Sequence, residues 1–199
     1  MSVFFPDVTY NSAEFIKTST GNLVSRKALI CKPQSVELPG GRCIICDGVV
    51  IRGDLAPVQV NKYSRLGAGT VLRPGTVMMA AALGSEPTSA SSSPTLTLRF
   101  IPMTIGSHTQ IGSNCIIEAA VIGMGCVIGD NSIISPRAVL KDFVVVKPNT
   151  VVDPDAVVAP FSIVSGKPGR VVGEAPESTS TLAVSDAVRV YRSWKPATE

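Results

Sequence analysis

The strongest pattern in this sequence is a beat of aliphatic residues: Ile105, Ile111, Ile117, Ile122, Ile128, Ile134, Leu140, Val146, Val152, Val158 and Val164. Each step is six residues, except one of five between Ile117 and Ile122. Two positions before each of the last ten stands a small or β-branched residue: Thr109, Cys115, Ala120, Cys126, Ser132, Ala138, Val144, Thr150, Ala156 and Ser162. Side chains alternate between the faces of a strand, so a beat residue and the one two earlier point the same way, inward. A turn must follow before the next beat. Gly106, Gly112, Gly123, Gly129, Asp130, Asn131, Pro136, Pro148, Asn149 and Pro154 fill those slots with types that supply positive φ or a preset turn dihedral. Three such units close one triangular coil, and coils stack by parallel strand pairing. The pattern therefore predicts an all-β chain built as a parallel β-helix.

The pairs Val58/Val60, Ser64/Leu66 and Thr70/Leu72 continue the beat towards the N-terminus, with Cys43/Ile45 and Val49/Ile51 as weaker members. This places the β-helix at residues 36–166, about six coils and roughly 30 Å of stack at ~4.8 Å per coil. A β-sandwich of many short strands is the competing architecture; eleven beats in register argue against it. Residues 1–35 lack the beat and are expected to form an N-terminal cap over the first coil's unpaired edge. Residues 79–98 interrupt the stack with a Ser/Thr/Pro-rich middle, expected as a mobile loop that is either a tolerated insertion or a regulatory phosphosite. Residues 167–199 form an exit segment and a C-terminal α-helix at about 179–194. Ser178, Thr179 and Ser180 supply N-cap types, and Val184, Ala187, Val188, Tyr191 and Trp194 supply the apolar stripe. Arg189, Arg192 and Lys195 complement the helix dipole. The helix, about 24 Å long at 1.5 Å per residue, either packs along the stack or is offered to a partner.

Composition fits a narrow aliphatic core: 45% hydrophobic but only 5% aromatic, with no room for a buried ligand. A net charge of +3 does not suggest nucleic acid as a partner. Of five cysteines, Cys43, Cys115 and Cys126 fall at inward small positions. Cys43 and Cys46 have a zinc-like spacing, but no second pair follows at finger spacing, and strand packing explains them as well. Val3-Phe4-Phe5 is too short for a secretory signal, and no stretch nears the ~20 apolar residues of a membrane span. The expectation is a reducing cytoplasm, with no direct membrane insertion.

The stretch Val50-Ile51-Arg52-Gly53-Asp54-Leu55-Ala56-Pro57-Val58-Gln59-Val60 resembles the γ-class carbonic anhydrase-like branch of the hexapeptide-repeat proteins. The resemblance implies a left-handed β-helix, and a zinc held between neighbouring subunits by three histidines. Their places in this sequence are Arg73, Ser113 and Glu118, none of them His. A catalytic zinc needs about three nitrogen-rich protein ligands, and Arg73 would put a fixed positive charge where the cation belongs. No metal, cofactor or catalytic residue is expected, and Glu118 is free to pair with an Arg of a neighbouring chain. The alternative is an enzyme, either γ-carbonic anhydrase-like or a hexapeptide acyltransferase using a His as general base. The only His, His108, sits in the turn Ile105-Gly106-Ser107-His108 with no carboxylate clearly placed to orient it, and reads as an exposed turn residue. Arg52 and Asp54 share a strand face and are expected to order an interface or a coil corner; an integrin-type reading of Arg52-Gly53-Asp54 would need secretion.

Further stretches resemble the dynactin subunit 5 family: Tyr10-Asn11-Ser12-Ala13-Glu14-Phe15-Ile16, Thr20-Gly21-Asn22, Val24-Ser25-Arg26, Leu72-Arg73-Pro74, Val139-Leu140-Lys141-Asp142, Pro160-Phe161, Ser165-Gly166, Pro168-Gly169 and Gly173-Glu174-Ala175-Pro176-Glu177. Residues 79–98 depart from it as a longer insertion than expected. The resemblance implies a non-enzymatic subunit of dynactin's pointed-end complex, cytoplasmic and cytoskeleton-associated. Its implied partners are dynactin subunit 6, an actin-related protein, a zinc-containing subunit, and the cargo adaptors or early endosomes of dynein transport. Arg52, Asp54, Arg73 and Glu118 are then the candidate interface residues.

Overall fold

The six-residue beat winds the chain into a left-handed parallel β-helix, seen in a computed structural model that describes residues 8–80 and 96–197. Three sheets form the sides of a prism. The first face stacks Leu23–Ser25, Ile44–Ile45, Arg65–Leu66, Gln110–Ile111, Val127–Ile128, Val145–Val146 and Ser162–Ser165. The second stacks Leu29–Cys31, Val50–Arg52, Val71–Leu72, Ile116–Ile117, Ile133–Ile134 and Val151–Val152. The third stacks Val36–Glu37, Val58–Val60, Met103–Ile105, Val121–Ile122, Val139–Leu140 and Val157–Val158. Register is set by the beat: Leu66, Ile111, Ile128, Val146 and Val164 align on the first face, and Val60, Ile105, Ile122, Leu140 and Val158 on the third. All eleven beat residues are buried, and each contributes about 1.5–3 kcal/mol of apolar burial.

The small inward positions do a second job. Ser64, Thr109 and Cys126 each donate to a corner carbonyl of the following coil, at Gly106, Gly123 and Lys141. Thr70, Cys115 and Ser132 do the same to Gly112, Gly129 and Lys147. A hydroxyl or thiol thus sits in an aliphatic core without an unmet hydrogen bond. Thr150 is the exception, buried with its hydroxyl unpartnered; the chain turns out of the stack after Ser165, where the next carbonyl of the series would come. Ala156 is only half-buried. The five-residue step also corrects one expectation: Ala119 fills the core there, and Ala120 is half-buried.

Left-handed backbone makes the corners. Gly48, Gly69, Asn114, Asn131 and Asn149 hold φ of 55–68° between the first and second faces. Asn and Gly adopt this region at least cost. Between the third and first faces the same conformation falls to Arg42, Tyr63, His108, Gly125, Phe143 and Phe161. Aromatic residues are costly there, and stacking offsets the cost: Phe143 lies 5.2 Å from Phe161, and Tyr63 lies 5.3 Å from His108.

The stack begins earlier than expected. Leu23–Ser25, Leu29–Cys31 and Val36–Glu37 pair in parallel with the coil above, so they are its first coil and not part of a separate cap at 1–35. Their beat escaped notice because Leu29, at 58% exposure, and half-buried Ile30 and Val36 face less core than later residues. Antiparallel strands Phe15–Lys17 and Arg170–Glu174 close the two ends of the first face only.

The expected loop at 79–98 begins and ends in order. Thr76–Ala80 and Leu96–Phe100 form an antiparallel hairpin at the corner between the second and third faces. Arg137 donates to the Thr76 carbonyl at its base, 2.6 Å. The Ser/Thr residues considered for phosphorylation lie outside the described residues.

The C-terminal helix spans Ser178–Ser193 and buries Ala183, Ala187, Val190 and Ser193. The stripe is therefore rotated from the predicted one, and Val184 and Val188 are only half-buried. Small residues won the buried side because the helix lies close on a corner: Ala183 comes within 3.3 Å of where a Cβ on Gly125 would stand. Tyr191 packs edge-on against Tyr63 and donates to the Gly21 carbonyl at 2.7 Å. The helix packs on its own solenoid. None of Ser178, Thr179 and Ser180 is the cap; Glu177 holds that position, and the Ser180 hydroxyl donates to its carbonyl at 2.7 Å. Trp194 has left the helix for a strand, Trp194–Pro196, that pairs in parallel with Val8–Tyr10. Its ring stacks with Tyr10 and meets Phe15 edge-on.

Candidate functional site

The three positions matching the family's zinc ligands do not make a metal site. Arg73 follows strand Val71–Leu72 and Glu118 follows Ile116–Ile117, one coil above; these strands pair in register, so the two side chains share a corner. Their charges meet at 3.4 Å within the one chain. Glu118, expected to be free for an Arg of a neighbouring chain, meets an Arg of its own chain. Coil stacking delivers Arg73 to it, and Glu118 is the more sheltered partner, 18% exposed against 54%. Ser113 stands at the opposite end of strand Ile116–Ile117, where its N–H donates to the Asp130 carboxylate at 2.7 Å. An ion-paired guanidinium and a distant hydroxyl are a poor donor set for zinc. Among the described residues no group of three or more His, Cys, Asp or Glu is placed to hold a metal ion.

Arg52 and Asp54 form a two-pronged pair, with both hydrogen bonds at 2.8 Å. The guanidinium's hydrogen bonds hold the Asp54 carboxyl below its ordinary range. Gly53 between them is required by space: a Cβ there would lie 2.6 Å from the Val36 side chain and 2.8 Å from the Cys31 carbonyl. The Arg-Gly-Asp run is thus a coil corner that fits the first coil beneath it. Two more pairs continue near this edge, Arg137 with Asp155 and Arg170 with Asp153.

His108 is not the exposed turn residue expected. It is 8% exposed, stacked on Tyr63, and its Nδ1 has no partner. Burial, reinforced by the nearby Lys62 charge, lowers its pKa below the ordinary value. Among the described residues no carboxylate is paired with the ring, as a general base would need. Burial pushes the Cys43 thiol up to about 11 and that of Cys126 to about 12, away from thiolate chemistry. Cys43 donates to the Asn61 carbonyl, which is strand packing.

The sequence reading missed the exterior of the second face. Its outward column, in register, reads Leu29, Val50, Val71, Ile116, Ile133 and Val151. Leu29 and Ile116 are exposed at 58% and 42%, and the others half-buried. The other exteriors are interrupted by polar residues: Arg65 and Gln110 on the first face, Glu37, Gln59 and Thr104 on the third. The signal was present as the residue preceding every third beat.

Comparison with known proteins agrees with this architecture. The family model described as dynactin subunit 5 matches residues 4–199. Dynactin subunit 5 of Dictyostelium discoideum is 33% identical over 114 residues, which are 57% of this chain. The match spans half the length of that protein. Two solved structures share the fold. A hexapeptide transferase family protein from Anaplasma phagocytophilum superposes with a TM-score of 0.60 at 18% identity, covering 86% of this chain and 89% of that one. AntD, an N-acyltransferase from Bacillus cereus solved with dTDP and 3-hydroxybutyryl-CoA, gives 0.58 at 17% identity, covering 85% and 88%. No described helix is long and apolar enough to cross a membrane. Six stacked coils of hexapeptide repeat and a family match along nearly the whole sequence lead to one conclusion: the chain belongs to the dynactin subunit 5 family.

Proposed function

We propose that this protein is a cytoplasmic scaffold subunit of dynactin's pointed-end complex. It sits there beside dynactin subunit 6, the actin-related protein and the zinc-containing subunit, and supports dynein-driven transport by docking cargo adaptors or endosomes. The observation that carries the non-catalytic part is the Arg73–Glu118 ion pair standing where related β-helices keep zinc ligands. A prism of packed aliphatic side chains with flat outer sheets gives a rigid docking body. Arg52, Asp54, Arg73 and Glu118 line one edge of that body and are proposed to order it. The test is affinity purification of the tagged chain, with mass spectrometry of what accompanies it and metal analysis of the purified protein. Recovery of the dynactin subunits, with far less than one zinc per chain, is expected. A metal-loaded homotrimer recovered without dynactin would overturn the proposal.

A further inference from the structure

His108 is a buried titratable group that neither the core nor the proposed assembly uses. Its ring lies 5.3 Å from the Tyr63 ring and nearly parallel to it, at 17°. Tyr191 of the C-terminal helix meets the same Tyr63 ring edge-on at 5.8 Å. Tyr63 thus joins the histidine to the helix's anchor. We infer that His108 is a pH-sensitive catch: protonation of its ring releases the C-terminal helix and the strand after it from the corner, while the coils stay stacked. The catch does not depend on the assembly proposed above.

Neutral His108 suits the docked state. The residue is covered, and Nδ1 has no hydrogen-bond partner among the described residues. The imidazolium fits poorly. Both ring nitrogens become donors, and a buried Nδ1–H with nothing to accept it is costly. The charges nearest the ring are cations. The Lys62 ammonium acts on His108 directly. Arg42 lies 5.5 Å from the Tyr63 ring centre and donates to the Tyr63 hydroxyl. The next corner of the column is Gly125, which brings no side chain. On the helix, Asp186 is tied to Arg189 at 3.7 Å, and the Tyr191 hydroxyl donates to the Gly21 carbonyl. The helix residues buried against the corner, Ala183, Ala187, Val190 and Ser193, carry no charge.

The helix's hold is light. Its buried side chains are small, and it ends in a two-stranded sheet, a marginal structure on its own. The coils pair with one another without it, so helix and strand can leave as one cooperative unit. In the docked state the pKa of His108 lies below the ordinary 6.5. Release exposes the ring and restores its ordinary affinity for the proton. Release is therefore favoured as pH falls below that value, and above it the docked state keeps its full advantage.

The test is amide hydrogen exchange of the full chain at pH 7.5 and pH 5, with each amide's intrinsic pH dependence divided out. Protection across Ser178–Ser193 is expected to fall at least tenfold at pH 5. Protection of coil amides such as Gln110, Val127 and Ile133, which donate to the next coil, should change by less than twofold. His108→Phe keeps a stacked ring and takes up no proton, so its helix should hold its protection within twofold. Lys62→Gln, at an exposed site, removes the nearby like charge and should shrink the parent's drop. The catch is overturned if the parent's helix keeps its protection at pH 5, if His108→Phe loses it equally, or if the coils lose theirs together with the helix. Should His108→Phe fail to fold, Lys62→Gln decides: a smaller drop supports the catch, and one as large as the parent's overturns it.

Discussion

Single positions carry the fold because each inward side chain has fixed neighbours above and below. Ile128 is 2% exposed in the middle of the stack. Ile128→Asp is expected to abolish folding, since an unpaired carboxylate there costs several kcal/mol; Ile128→Val should cost only about 0.5–1.5 kcal/mol. Chemical denaturation of both variants checks the assignment. Gly53→Ala is expected to destabilise by roughly 1–3 kcal/mol, because Val36 and the Cys31 backbone leave no space for a Cβ; a melt within one degree of the parent would refute it. His108 links stability to pH. Its folded-state pKa lies below the ordinary 6.5, so the unfolded chain binds the proton more readily as pH falls. The contribution is therefore complete above that value and lost on acidification. His108→Phe keeps the stacked ring and removes the titration. Phe143 and Phe161 already hold the same left-handed backbone at this corner. The variant should show a smaller drop in melting temperature between neutral pH and pH 5 than the parent, read by calorimetry.

At the scale of elements, what the sequence made legible followed from strong periodicity. The beat from Ile105 to Val164 identified the later coils, because most inward residues there meet a coil on both sides. It failed for Leu23–Glu37, where one side of the coil is open and half-exposed residues such as Ile30 and Val36 suffice. The helix was legible in extent and not in orientation. A ridge pressed on a corner selects Ala183 beside the predicted Ala187, and a search for the most apolar stripe passes over Ala183. The Arg73–Glu118 pair could not be read at all, since the hairpin inserted between Leu72 and Met103 hides that strands at 71 and 116 are neighbours. Tyr191 is the helix's hydrogen-bonded anchor. Tyr191→Phe keeps the edge-on contact with Tyr63 but removes the bond to Gly21, and should cost about 1 kcal/mol, measured by urea denaturation.

Across the whole molecule, a solenoid is held mainly by contacts between adjacent coils, so its ends would be free to fray. Here the helix runs back along the corner from Phe161 to Gly21 and ties late coils to early ones. A single sharp unfolding transition is expected for the intact chain. Deleting residues 178–199 should broaden it, or split it into two steps, in a thermal melt followed by circular dichroism.

The pairing of Val8–Tyr10 with Trp194–Pro196 has a temporal side. Coils can lay down one upon another as the ribosome delivers them, yet the strand that partners Val8–Tyr10 is translated only after every coil has been made. Until then Tyr10 and Phe15 stand exposed without Trp194. Closure of this aromatic cluster is therefore expected to come last, and the indole that completes it is the chain's only tryptophan, the fluorophore that would report the moment of closure.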